Sequence, residues 1–211
     1  MDDHAFPFAF RDDDALLVID VQHDFLPCGA LAVPDGDAVL PFVDAAIATA
    51  PFVVLTQDWH PAGHASFASS HPGSAPFSTT DMPYGTQVLW PDHCVQGSEG
   101  ADLALSVGAL ARADLVVRKG TNPAIDSYSA FMENDRTTST GLADDLRARG
   151  IRRVVLVGLA TDYCVAYSAL DARAAGFEVA VLLSGCRGIS PDTVAAQKEA
   201  MVRAGVHLVS A

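Results

Sequence analysis

The sequence predicts an α/β fold built on a parallel sheet. Two observations carry that expectation. Short apolar runs rich in Val, Leu and Ile recur along the chain, mostly continuous instead of alternating, as in strands buried on both faces. Segments with helical spacing lie between them, and strand-helix alternation brings strands together in parallel.

The expected strands are residues 15–21, 52–56, 115–118, 153–159, 178–183 and 206–209. Helical spacing covers 37–50. A second helix over 140–149 stops at Gly150, and a third over 162–175 stops at Gly176. Ser190-Pro191-Asp192 opens a last helix, which Gly205 closes. Residues 57–98 break the pattern, being crowded with His, Pro, Gly, Ser and Trp. A long aperiodic stretch in a compact domain is usually functional. It follows a strand directly, and open α/β sheets bind ligands beyond the carboxyl ends of their strands.

The 211 residues fit one domain, with 57–98 as its long loop segment and no linker or internal repeat. Half the residues are hydrophobic and 18% are charged, as in an ordinary globular protein. With a net charge of -13 and only 13 Lys and Arg, neither a nucleic acid nor an anionic membrane is an expected partner. The opening MDDHAFPFAFRDDD lacks the basic start and apolar stretch of a signal peptide, and no apolar run reaches membrane-spanning length. A cytoplasmic location is expected. Cys28, Cys94, Cys164 and Cys186 form no C-x-x-C pair, so a zinc knuckle and a thioredoxin-like motif are excluded. In a reducing compartment most of them are expected to be free, buried thiols.

Three residues of complementary chemistry lie at expected strand ends. Asp20 closes LLVID, Lys119 follows 115–118, and Cys164 follows 153–159 in ATDYC. A thiolate is the nucleophilic form of cysteine, a nearby ammonium lowers the thiol pKa, and a carboxylate accepts its proton. Cys164 falls in the first turn of the third helix, where free N–H groups favour negative charge, with Thr161 or Asp162 as the expected N-cap. Singly, each has a plainer role: a small core residue, a strand-end cap, a solvated lysine. Their shared place at the carboxyl edge is what favours a site.

The segment 57–98 begins with Asp58-Trp59-His60, and an alternating Asp-x-His in extended chain points both side chains to one face. His93 supplies a third ligand. Two imidazoles and a carboxylate with open positions suit catalytic Zn²⁺, and equally Fe²⁺ or Mn²⁺. Polar loops also collect His and Asp without a metal. His64 could ligate or orient a ligand, and His71 is expected at the surface.

The segments VIDVQHDF, TQDWHPAGHASF, LWPDHCVQGSEGA, VVRKG with DSYSAF, and VGLATDYCV occur in order over nearly the whole chain. In these the chain resembles the nicotinamidase group of the isochorismatase-like cysteine hydrolases. The resemblance implies an open, mostly parallel sheet of about six strands flanked by helices on both faces. It implies a triad of Asp20, Lys119 and Cys164, an oxyanion hole from the backbone N–H groups of Ala160 and Cys164, and a cis peptide at Leu159–Ala160. One divalent metal ion is implied on Asp58, His60 and His93, with zinc favoured and iron or manganese as alternatives. Gln22, Phe25, Trp90 and Tyr128 are implied around a flat aromatic ring, and Tyr163 stands where some relatives carry another residue. His64 stays unassigned. The implied substrate is nicotinamide, with pyrazinamide accepted as well, in pyridine-nucleotide salvage. A homo-oligomer is left open.

The rivals are another small carboxamide or carbamoyl compound, an isochorismate-like enol ether, and a non-catalytic binding module. Enol-ether hydrolysis needs neither the thiol nor the metal ligands. A dinucleotide-binding module lacks its G-x-G-x-x-G, since residues 21–25 stand in that place.

Overall fold

A computed structural model describes residues 6–210; residues 1–5, over which the N-terminal expectation extends, and residue 211 lie outside it. Along the chain run β1 (Asp14–Ile19), α1 (Leu40–Thr49), β2 (Val53–Asp58), β3 (Thr79–Met82), β4 (Gly85–Val88), the one-turn α2 (Val107–Leu110), β5 (Leu115–Lys119), α3 (Leu142–Ala148), β6 (Arg153–Leu159), α4 (Ala166–Ala174), β7 (Glu178–Arg187), α5 (Pro191–Arg203) and β8 (His207–Val209).

Six of the strands form one parallel sheet in the order β5-β2-β1-β6-β7-β8. β1 and β2 are buried at every residue. Side chains of β1 alternate between two cores, Leu16 and Val18 in one, Ala15, Leu17 and Ile19 in the other. That two-sided burial is why the central runs are continuously apolar. On one face α1 and α2 cover the sheet with Val43, Ala46, Ile47 and Ala109. On the other, α3, α4 and α5 contribute Leu142, Leu146, Ala169, Ala172 and Met201. Each large aliphatic so buried stabilises the fold by roughly 1.5–3 kcal/mol.

Three expectations are corrected. β5 is an edge strand, not one buried on both faces: Val116 and Arg118 face outward while Leu115 and Val117 turn in. β7 continues to Arg187, beyond the expected end at 183, across a register shift opposite Leu156 and Gly158. Residues 57–98 are not structureless, since β3 and β4 form an antiparallel hairpin within them. Among the described residues no helix is long and apolar enough to cross a membrane.

Candidate active site

Because β5, β2, β1 and β6 are consecutive in the sheet, their carboxyl ends stand in a row. Lys119 ends β5, Asp58 ends β2, Asp20 follows β1, and Leu159 ends β6. Lys119 and Asp58 are direct register partners. Asp20 turns the chain away from the sheet in the left-handed region, with φ 47°. Thr56 holds it there: Asp20 N–H donates to Thr56 Oγ1 at 3.0 Å, and that hydroxyl donates to Asp20 Oδ1 at 2.6 Å.

The Lys119 ammonium is fully enclosed. Its Nζ lies 2.5 Å from Asp58 Oδ1, 2.9 Å from Asp20 Oδ2, 2.9 Å from Ser127 O and 3.5 Å from Cys164 Sγ. The Asp20 contact is an ion pair off hydrogen-bonding angle, so Asp20 Oδ2 has no hydrogen-bond donor of its own. Oxygens of Asp20 and Asp58 and the Cys164 sulfur all lie within 4.8 Å of one another.

The electrostatics follow from burial and from this one cation. Burial works against charge on Lys119, but Asp20, Asp58 and Cys164 outweigh it and hold its pKa well above the ordinary value. Burial also works to raise the Asp58 carboxyl, yet Lys119, His60 and His93 together hold it well below the usual range. Asp20 goes the other way: burial, helped by Asp58, outweighs Lys119 and raises it. The Cys164 thiol is pushed far up by burial and by both carboxylates, against Lys119. The expected lowering of the thiol pKa by lysine is therefore outweighed. Cys164 rests as a thiol beside a carboxylate with raised proton affinity, an arrangement for proton transfer during attack instead of a preformed thiolate.

The turn carrying Cys164 is built closely. Gly158 has φ 120°, and a side chain there would run into the Ile19 backbone of β1. The Leu159–Ala160 peptide is cis. Thr161–Val165 is a π-helical turn leading into α4, where a plain α-helix is expected from sequence. Neither Thr161 nor Asp162 caps it. The cap position is Ala160, without a side-chain bond. The Asp162 carboxylate instead reaches the start of α5, accepting from Ile189 N at 3.0 Å, Ser190 N at 3.1 Å and Thr193 Oγ1 at 2.5 Å. It thereby ties the nucleophile's turn to a loop whose Ile189 lines the pocket. Asp162→Ala strands two half-buried backbone donors, the N–H groups of Ile189 and Ser190, while the exposed Thr193 hydroxyl keeps Ser190 O, and is expected to cost about 1–3 kcal/mol of unfolding free energy. Urea unfolding checks this; a loss below about 0.5 kcal/mol, the level of an ordinary surface change, refutes it.

Asp58, His60 and His93 converge as a buried cluster in which ligand atoms all lie within 4.8 Å of one another. Both His Nε2 atoms face Asp58 Oδ2, at 3.8 Å and 3.9 Å. The opposite ring nitrogens are occupied: His60 Nδ1 lies 3.0 Å from Gly120 O and His93 Nδ1 2.8 Å from Pro91 O. Carbonyl partners make each Nδ1 the N–H donor and leave each Nε2 lone pair free for a cation. Gly120, at φ 64°, permits this approach, since a side chain there would strike the His60 ring. His93 is held neutral, its pKa lowered to about 4 by burial and then by His60. Asp20 and Asp58 against Lys119 leave one buried negative charge in excess, which a cation at this cluster would offset. The donor set thus fits a divalent metal. His64 does not join it: its ring nitrogens lie 2.8 Å from Ser66 Oγ and 2.7 Å from Asn122 O.

A cleft opens beside Cys164. Phe25, Trp90, Tyr128 and Tyr163 wall it, and Asp58, His93, Ala160 and Asp126 reach it. The Trp90 and Tyr163 rings meet edge to face at 4.9 Å, and Trp90 Nε1 donates to Tyr128 Oη at 3.2 Å. Gln22, expected around the ring, is not on this lining. Its amide is spent on the backbone, donating to Asp58 O and Ala101 O and accepting from Asp58 N, each at 2.8 Å. It fixes the end of β2 and so the metal ligand. Asp126 was given no role from sequence, although it opens the DSYSAF segment. Of the other cysteines, Cys94 and Cys186 are buried free thiols as expected, but Cys28 is exposed.

A buried thiol, two carboxylates and a candidate metal centre gathered at the carboxyl edge of a parallel sheet mark a hydrolase built on an α/β sheet. More narrowly, the chain belongs to the isochorismatase family, whose Isochorismatase domain model matches residues 14–211. A nicotinamidase of Acinetobacter baylyi is 48% identical over 197 residues, 93% of this chain and 92% of its own. The structure of an Acinetobacter baumanii nicotinamidase/pyrazinamidase superposes with a TM-score of 0.92 at 45% identity, covering 96% of this chain and 98% of the other. The Pyrococcus horikoshii pyrazinamidase, crystallised in complex with zinc, gives 0.78 at 36% identity, covering 94% and 99%.

Proposed function

We propose that this chain hydrolyses nicotinamide to nicotinate and ammonia through a thioester on Cys164. The observation that carries this is the enclosed Lys119 ammonium, which gathers Asp20 behind Asp58 and Cys164, two residues lining an aromatic cleft. Phe25, Trp90, Tyr128 and Tyr163 give the cleft flat aromatic walls, which suit a single ring. The similar proteins named nicotinamidase supply the substrate's identity.

The chain's own groups account for each step. Phe25 and Trp90 pack on the ring. Asp20 Oδ2 takes the thiol proton as Sγ bonds to the carboxamide carbon, and Lys119 stabilises the sulfur's developing charge. The carbonyl oxygen becomes an oxyanion held by the N–H groups of Ala160 and Cys164, which belong to the turn between β6 and α4. As the tetrahedral species collapses, the C–N bond breaks and Asp20 returns the proton to the leaving nitrogen, giving ammonia and the thioester. Water then adds to the thioester, giving a proton to Asp20. The C–S bond breaks, the sulfur recovers a proton, and nicotinate leaves. A divalent cation on Asp58, His60 and His93, with zinc favoured, supplies a Lewis-acidic anchor for the ring nitrogen when bound.

Purified protein is expected to release ammonia from nicotinamide and also from pyrazinamide, which differs by one ring atom. No ammonia from nicotinamide overturns the substrate. His93→Ala is expected to lose at least tenfold in metal affinity, read by elemental analysis after dialysis, since a ligand matters no less than the groups behind it. Unchanged metal content in that variant places the centre elsewhere.

A further inference from the structure

The hairpin of β3 and β4 packs beside the cleft, and its side chains are exposed or half-buried with one exception. Gln87 is fully inward, 1% exposed, and polar. A hairpin with a single inward position would ordinarily put an apolar side chain there. The amide instead meets two residues of the cleft lining. Gln87 Nε2 lies 2.9 Å from Asp126 Oδ2, 2.8 Å from Tyr128 Oη and 2.8 Å from Val88 O. Two protons serve three acceptors, so the carboxylate, the strongest of them, takes one and the other two share the second. On the opposite side, Gln87 Oε1 accepts from Asn134 Nδ2 at 3.2 Å and Tyr84 Oη at 3.3 Å. Asn134 Oδ1 in turn accepts from the backbone N–H of Tyr128 at 3.1 Å. Tyr128 is thus gripped at its hydroxyl directly and at its backbone through Asn134.

We propose that Gln87 is a positioning residue for substrate binding: through its one amide it fixes the Tyr128 wall and the Asp126 carboxylate of the cleft. It touches neither Cys164 nor a candidate metal ligand, and acts through Tyr128 and Asp126 alone. The proposal rests on the nicotinamide reading of the cleft. Without Gln87 the Tyr128 hydroxyl keeps only the Trp90 indole, and Asp126 Oδ2 loses its donor. The ring and the carboxylate then drift, which weakens the fit of the ring without altering the triad.

Steady-state kinetics on metal-loaded Gln87→Leu test this. KM for nicotinamide is expected to rise about tenfold, one to two hydrogen bonds' worth, with kcat within about threefold of the parent. Tyr128→Phe is expected to raise KM too, and the double variant to rise no further than the larger single change, as residues in one network do. An unchanged KM, a fall in kcat alone, or independent multiplication of the two effects overturns the proposal. Gln87→Met keeps the side-chain length without charge and removes both donors, so the same pattern is expected there should the leucine variant fail to fold. If the parent protein releases no ammonia from nicotinamide, the substrate reading falls first. A crystal structure of Gln87→Met then decides, displacement of the Tyr128 ring and Asp126 carboxylate supporting the role and unmoved groups ending it.

Discussion

Cys164→Ala is expected to abolish turnover, with kcat falling about 10⁵-fold, the scale seen when a covalent catalyst loses its nucleophile. The remaining groups cannot substitute. Asp58 is held by Lys119 and the two histidines, and Asp20 is a base with no second nucleophile to activate. Stability should hardly move, because only one sulfur is lost at a pocket wall, at a cost of about 1 kcal/mol. Cys164→Ser separates chemistry from shape. It restores the volume, but its hydroxyl is far less acidic than a thiol, so Asp20 cannot deprotonate it effectively and the loss should remain large. Ammonia release and mass spectrometry of substrate-incubated protein are the measurements. Residual turnover above about 1% of the parent, or an acyl adduct on another residue, would remove Cys164 from the role.

Lys119→Met is expected to be the most destabilising single change in the site, at about 3–5 kcal/mol, the cost of leaving a buried charge uncompensated. The ammonium is wholly enclosed and bridges Asp20 and Asp58, whose oxygens lie within 4.8 Å of each other. Methionine matches the length and fills the space, so cavity formation is a small part of the loss. What remains is two carboxylates facing each other in a dry setting. Activity should fall with stability, because the developing thiolate loses its cation as well. Chemical denaturation of metal-loaded protein, compared with Asp20→Asn/Lys119→Met, isolates the electrostatic part. The double variant is expected to recover a good share of the loss, since it removes one of the two stranded charges. A double variant no more stable than Lys119→Met would show that packing, not charge, sets the cost.

The parts of this molecule legible in its sequence are those where one physical force dominates. Central strands are buried on both faces, so β1, β2 and β6 read as continuous apolar runs. The site residues Asp20, Asp58 and Lys119 were legible because they sit where such runs stop. Their mutual arrangement was not. The pairing of Asp58 with Lys119 is a matter of register between β2 and β5, strands far apart along the chain. The hairpin escaped because Thr79–Met82 and Gly85–Val88 are short and mostly polar, and their one fully buried side chain is the polar Gln87. Gln22 was misplaced for a related reason: a glutamine beside a site looks like a substrate ligand until its amide is found bonded to the backbone of Asp58. Gln87 carries no pattern and Asp126 only its place at the head of DSYSAF, so their convergence in space is what marks them.

The burial of the candidate metal ligands has a biological corollary. Asp58, His60 and His93 are almost wholly enclosed, at 4%, 1% and 4% exposure, so a pyridine nitrogen directed at them ends in a blind corner. In an intact pyridine coenzyme that same nitrogen bears a sugar and cannot approach a cation, so on the proposed anchoring the coenzyme is expected to be spared while its free base is hydrolysed.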